Sequence, residues 1–274
     1  MPLSSLQSRV LLLLAAHRDP ESYVAGSTPL NRDTARYSED INIFHDREER
    51  VAHAAEQDAA VLQRHGFALR WLRREPALYA LLATRQDGQV RLEWAVDSDF
   101  RFFPTLPDIV FGFVLHPVDL ATNKVMAAAG RREPRDVLDL LTVHDRILPL
   151  GATVWAAVGK SLGFTPEGLI AEIRRLARYT AADFSHVAAD PPLDPAATMV
   201  RLRSTLDAAD AFVARMPTDR AGLLFLADGR PVEPDPDRLD RYATHAGQRR
   251  GHWPDGPEIA AAMLERYADG RKKE

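Results

Sequence analysis

Apolar positions along this chain recur with two periods. Around residues 41–44 the order Ile41, Asn42, Ile43, Phe44 alternates and predicts a half-buried strand. Residues 22–25 read as a shorter strand ending at Gly26. Three more strands are expected at 67–72, 78–84 and 90–96, and Asp87-Gly88 between the last two is a hairpin signal. Residues 109–115 read as one further strand. A helical period governs 6–17 and 47–65, the second closed by Gly66 as its C-terminal cap. From Asp119 onward the helical period takes over. Asp119 is expected to cap a helix ended by Gly130, and Pro134 suits the first turn of the next. Residues 166–179 place Leu169, Ile170, Ile173 and Leu176 on one face. Pro and Asp dominate 189–195 and 232–237, which read as loops. The expectation is an α+β fold: a mixed sheet with helices over residues 1–117, then a mostly helical part over 118–274.

Composition narrows this little. At 46% apolar and 27% charged the chain is globular, and 274 residues suffice for a hydrophobic core. No apolar run reaches the roughly 20 residues of a membrane helix, so no membrane partner is expected. Without an export signal the cytoplasm is the default location. Cysteine is absent, which excludes disulfides and thiolate metal sites. The histidines show no metal-ligand spacing. Net charge is −4, so a nucleic-acid partner would need local basic patches. Arginine meets aromatic residues at 71–75, 172–179 and 247–253, which suits single-stranded RNA, although surface arginines alone explain each run.

Two stretches carry candidate chemistry. In "YVAGSTPLNRDTARYSEDINIFHD", Gly26 lets backbone approach a ligand and Ser27 adds a hydroxyl, so the pair can hold a phosphate. Asp40, at the start of the next strand, can hold Mg²⁺, which prefers oxygen ligands shared with substrate phosphates. Glu93, with Asp97 second, is the best further carboxylate. The plainer readings are a turn glycine with a capping serine, and an edge-strand glutamate. In "DLATNKVMAAAGRREPRDVLDLLTVHD", Lys124, Arg131, Arg132 and Arg135 can hold a triphosphate, and Asp136 and Asp139 share a helix face. The plainer reading is a salt-bridged helical hairpin.

Taken together, Gly-Ser followed after about ten residues by Ser-Glu-Asp-Ile-x-Ile-Phe resembles the nucleotidyltransferase superfamily signature. The second stretch, with Leu120, Lys124, Arg135, Asp136, Asp139 and Leu140, resembles the second block of the AbiEii/AbiGii toxin family. The resemblance covers roughly residues 20–145. It implies a nucleotidyltransferase of a bacterial toxin–antitoxin or abortive-infection system, moving a nucleotide from a nucleoside triphosphate to an RNA acceptor, with tRNA the best-supported class. A cognate antitoxin would be its partner. Gly26 and Ser27 would contact the triphosphate, Asp40 would be the principal Mg²⁺ ligand, and Lys124 would bind phosphate. Asp136 or Asp139 would act as base or as a structural partner of Arg135. Ser38 lies close enough to touch phosphate or to be modified. The superfamily commonly has Asp-x-Asp on this strand, and here the second position is Asn42. Asn42 can ligate through its carbonyl oxygen without charge, leaving Glu39 or Glu93 to compensate. A phosphotransferase on the same fold and a weakened nucleotide- or partner-binding module are the alternatives.

Overall fold

The structure, a computed structural model, describes residues 3–265 other than Glu39, Asp99, Leu162 and Arg250. It divides into two units, one of residues 3–98 and 104–116, the other of Phe100–Phe103 and 117–265. The first begins with α1 (Ser5–Leu14), where Ser4 and Gln7 cap each other reciprocally, and a 3-10 turn, Ala15–His17, continues it. There follow β1 (Ser22–Ala25), the four-residue helix α2 (Ser27–Leu30), β2 (Asp40–His45) and α3 (Glu48–Arg64). Gly66, at φ +81°, releases the chain from α3 as its sequence position anticipates. Next come β3 (Ala68–Glu75), β4 (Leu78–Arg85) and β5 (Gly88–Val96). The β4–β5 register pairs Arg85 with Gly88, so the two-residue turn is Gln86-Asp87. β6 (Phe100–Arg101) belongs to the second unit; β7 (Leu106–Asp108) and β8 (Gly112–Val114) complete the first.

The seven strands of the first unit lie in the order β3-β4-β5-β2-β1-β8-β7. β2 runs parallel to β5 and antiparallel to β1, and β1 runs parallel to β8. Strand side chains alternate between faces. Val24, Ile41, Ile43, Leu81, Leu92 and Trp94 therefore share one face, and they pack with Val10, Leu11 and Leu14 of α1 and Val51, Ala55 and Leu62 of α3. The single strand expected at 109–115 is instead the β7–β8 hairpin. Asp108 Oδ1 accepts the amides of Val110 at 2.7 Å and Phe111 at 3.0 Å, which turns the chain and leaves Ile109 exposed. Gly112, at φ +75°, completes that turn where a Cβ would lie 2.2 Å from the Ala15 carbonyl oxygen.

The covered face also buries charge. Asp58 of α3 is inaccessible to solvent and accepts from Arg18 Nη2 at 2.6 Å and Trp94 Nε1 at 2.8 Å, with His17 Nδ1 also at 2.8 Å. Arg50 bonds both Asp19 and Glu21. His45, fully buried, is held down to about 3 from an ordinary 6.5, first by burial and then by the charges of Arg18 and Arg50. The folded chain thus keeps this ring neutral while the unfolded chain protonates it near 6.5. Between those values the unfolded state binds more protons, so stability falls as pH drops. His45 should contribute a loss of about 1.4 kcal/mol per pH unit over that window. Urea melts from pH 7 to pH 4 should show it, and His45→Phe should flatten the slope by about one proton.

The second unit is helical with two small sheets. Its helices are α4 (Pro117–Gly130), α5 (Pro134–Arg146), α6 (Leu150–Ala157), α7 (Pro166–Leu176), α8 (Pro195–Val213) and α9 (Ala261–Glu265). Pattern reading misses the sheet β10-β9-β11, formed by β9 (Leu223–Ala227), β10 (Arg230–Val232) and β11 (Ala243–Ala246), and the pairing of β12 (Gln248–Arg249) with β6. Asp119 is not the cap of α4. It lies in the first turn, fully buried, and its carboxylate accepts the amides of Phe102 at 2.9 Å and Phe103 at 3.0 Å. Lys160 reaches the same carboxylate at 3.4 Å and donates to Asn123 Oδ1 at 2.8 Å. Trp155 of α6 is buried and donates to the Arg220 carbonyl at 2.9 Å. No helix among the described residues is long and apolar enough to cross a membrane.

Candidate active site

The sheet brings one set of candidates together. Asp40 and Asn42 are two apart on β2, so both point away from the face that α1 and α3 cover. The parallel ladder pairs Asp40 with Arg91 and Asn42 with Glu93, which puts Glu93 on the same face as the two β2 residues. Asp40, Asn42 and Glu93 are all half-buried. On the other side of β2, Ala25 pairs with Asn42, and Gly26 follows directly. Gly26 adopts φ +79°, and a Cβ there would meet Asn42 Nδ2 at 3.2 Å. The backbone angle favours glycine here, and a side chain would crowd Asn42.

Ser27 opens α2, and its hydroxyl accepts from Arg36 Nη2 at 3.3 Å. Arg36 is itself buried. Sequence reading passed over it, although it lies in the same loop; nothing local distinguishes a cation that folds back on Ser27 from a solvated one. Ser38 is buried, with Oγ 2.9 Å from Thr28 Oγ1 and donating at 3.1 Å to the Asp40 carbonyl, which Thr28 Oγ1 also reaches at 2.6 Å. The Ser38 carbonyl accepts from Gln7 at 2.7 Å. These bonds fix the start of β2 through main-chain atoms. Glu93 pairs with Arg91 across one face of β5. Asp97 accepts from Tyr23 Oη at 2.7 Å. Glu39 lies outside the described residues.

The other set sits on α4 and α5. Lys124 Nζ meets Asp139 Oδ2 at 2.6 Å, both side chains almost wholly buried. Arg131 is held twice by Asp136, at 2.8 Å through Nε and at 2.8 Å through Nη2. That bidentate bond raises the Arg131 pKa still further. Arg135 has Glu133 at 3.6 Å. Arg132 stacks over Tyr179 at 5.2 Å and donates to the Arg178 carbonyl at 2.9 Å. Burial, then the charge of Asp136, pushes the Tyr179 hydroxyl up to about 12. The arginine runs are largely engaged within the protein: Arg174 pairs with Asp207 and Asp210, Arg175 with Glu172, and Arg74 lies over Trp71 at 5.0 Å.

The donors around Asn42 suit Mg²⁺. Two carboxylates and an amide oxygen are hard ligands, and Mg²⁺ characteristically takes one or two carboxylates and fills its octahedron with water and phosphate. Among the described residues no group of three or more His, Cys, Asp or Glu gathers around one point. The partly exposed Arg91–Glu93 pair costs little to rearrange.

A mixed sheet whose central acidic strand lies between a glycine turn and a glutamate strand, followed by helices, is a nucleotidyltransferase-like architecture. The particular likeness is to MenT4, a nucleotidyltransferase toxin from Mycobacterium tuberculosis H37Rv, with a TM-score of 0.55 at 17% identity over 78% of this chain and 84% of that one. That likeness establishes the fold. A proposed nucleotidyltransferase from H. pylori gives a TM-score of 0.48 at 14% identity, over 78% of this chain and 98% of that one. No protein-family profile and no curated protein matches the chain.

Proposed function

We propose that this protein is a Mg²⁺-dependent nucleotidyltransferase that moves a nucleotide from a nucleoside triphosphate to RNA, with tRNA the acceptor class. We assign it to the toxin half of a toxin–antitoxin or abortive-infection pair acting in the cytoplasm. The observation that carries the reading is the placement of Asp40, Asn42 and Glu93 on one sheet face beside Gly26. Asp40 would hold the metal, with Glu93 and the Asn42 side-chain carbonyl oxygen as further ligands. Mg²⁺, when bound, offsets charge that develops on the phosphate oxygens. Gly26 and Ser27 offer backbone and hydroxyl to the triphosphate, and Arg36 steadies Ser27. Lys124, Arg131 and Arg135 are assigned to the phosphates through their motif. Asp139 and Asp136 are each bound to a cation, which suits them to aiming Lys124 and Arg131.

In the reaction an acceptor hydroxyl attacks the α-phosphorus, the bond to the β-phosphate oxygen breaks, and pyrophosphate leaves. The hydroxyl proton passes to solvent. Incubating the protein with Mg²⁺, tRNA and each of the four NTPs, labelled at α or at γ, tests this. Label from the α position should enter RNA, and label from the γ position should leave as pyrophosphate. Transfer of γ label would mark the phosphotransferase reading. Binding of NTP without transfer of either label would leave only the binding-module reading.

A further inference from the structure

Among the described residues, five buried polar atoms on the covered face of the first unit lack a hydrogen-bond partner, and they belong to three residues close in the fold. They are Nε and Nη1 of Arg18, Oγ of Ser22, and both ring nitrogens of His45. Arg18 is 6% exposed, Ser22 1% and His45 0%. Ser22 and His45 are cross-strand partners at the far end of the β1–β2 ladder from Ala25 and Asn42. Arg18 is the foremost charge acting on the His45 ring. Reciprocal backbone bonds between Asp19 and Ser22, at 3.0 and 2.9 Å, hold the residue after Arg18 against Ser22.

We propose that ordered water is bound here, bridging the Arg18 guanidinium to the His45 ring and the Ser22 hydroxyl. The bonding types select the ligand. Arg18 only donates, a neutral imidazole donates at one nitrogen and accepts at the other, and serine does both. Water can accept from the first and still donate to the second. A halide only accepts, and would leave one nitrogen of His45 unanswered. A metal cation would face the N–H groups of Arg18. Because Nη2 is taken by Asp58, and Nε–H and Nη1–H leave the planar guanidinium in different directions, more than one molecule is needed.

Charge points the same way. Arg18 faces Asp58, Arg50 faces Asp19 and Glu21, and Arg47 faces Glu21, so three cations already meet three carboxylates. His17 adds a second contact to Asp58. A bound ion would leave net charge in an apolar layer, which is costly, whereas water adds none. The water would tie the turn at 18–22 to β1, which leads into Gly26, and to β2, which carries Asp40, behind the candidate site and independent of its chemistry.

Crystals of the full chain grown from sodium bromide test the proposal. Density without anomalous signal is expected at about 2.7–3.2 Å from Arg18 and from His45. An anomalous bromide peak there, or a dry site, overturns it. In solution, the ring protons of His45 should show cross-relaxation with long-lived water in the NMR spectrum, and the lack of that signal overturns it equally.

Discussion

Asp58→Ala should cost the protein about 3–5 kcal/mol, the range seen when one partner of a buried ion pair is removed. The substitution strips the Arg18 guanidinium of its hydrogen-bonded carboxylate at a place with almost no solvent, and it leaves the Trp94 indole N–H without its acceptor. His17 loses a contact as well, but its partly exposed ring can turn to water. Such a loss is a large part of the 5–15 kcal/mol that holds a domain folded. Urea denaturation should show a much lower midpoint with an unchanged m value. As a control, Glu172→Ala removes a surface partner of Arg175 and should change stability by less than about 1 kcal/mol. An Asp58→Ala loss as small as the control's would mean that the buried network is not cohesive.

Asp40→Ala should have the opposite profile, with activity lost and the fold retained. If Asp40 is the principal metal ligand, its removal withdraws several kcal/mol of transition-state charge stabilisation, so transfer should slow by about 1000-fold or more. Stability should move by no more than about 0.5 kcal/mol. The reason lies in how the start of β2 is held. Thr28 and Ser38 bond the Asp40 carbonyl, which alanine keeps, so that anchorage does not depend on the carboxylate. Label transfer and thermal melting on the same preparation decide it. A folded Asp40→Ala protein that still transfers nucleotide at the wild-type rate ends the proposed mechanism.

What the sequence revealed depended on how far each signal reaches. The β4–β5 hairpin and the cap of α3 were legible because their signals, Asp87-Gly88 and Gly66, lie beside the elements they shape, although the hairpin turn itself falls one residue earlier, at Gln86-Asp87. The β7–β8 hairpin was not, because Ile109 and Val110 read as strand while the deciding bonds come from the Asp108 side chain. The β9–β11 sheet was missed since its short strands only make sense as neighbours. At the site, alternation along β2 already separated Asp40 and Asn42 from Ile41 and Ile43. That Glu93 stands beside Asn42 follows from a parallel pairing across the intervening β3 and β4, which no local pattern encodes. The Arg18–Asp58 pair was invisible for the same reason: 40 positions of chain separate its members.

Each unit carries its own fully buried indole, Trp94 in the first and Trp155 in the second. One is bonded to a carboxylate and the other to a backbone carbonyl, while Trp253 is largely solvated. Of the four tryptophans, these two buried ones can each serve as an optical probe of its own unit. Replacing Trp71, Trp155 and Trp253 by Phe leaves fluorescence emission that follows Trp94 and the sheet behind Asp40. Replacing Trp71, Trp94 and Trp253 leaves emission from Trp155, which follows the helices bearing Lys124. Nucleotide, metal or a candidate antitoxin can then be titrated against either half of the molecule without attaching a dye.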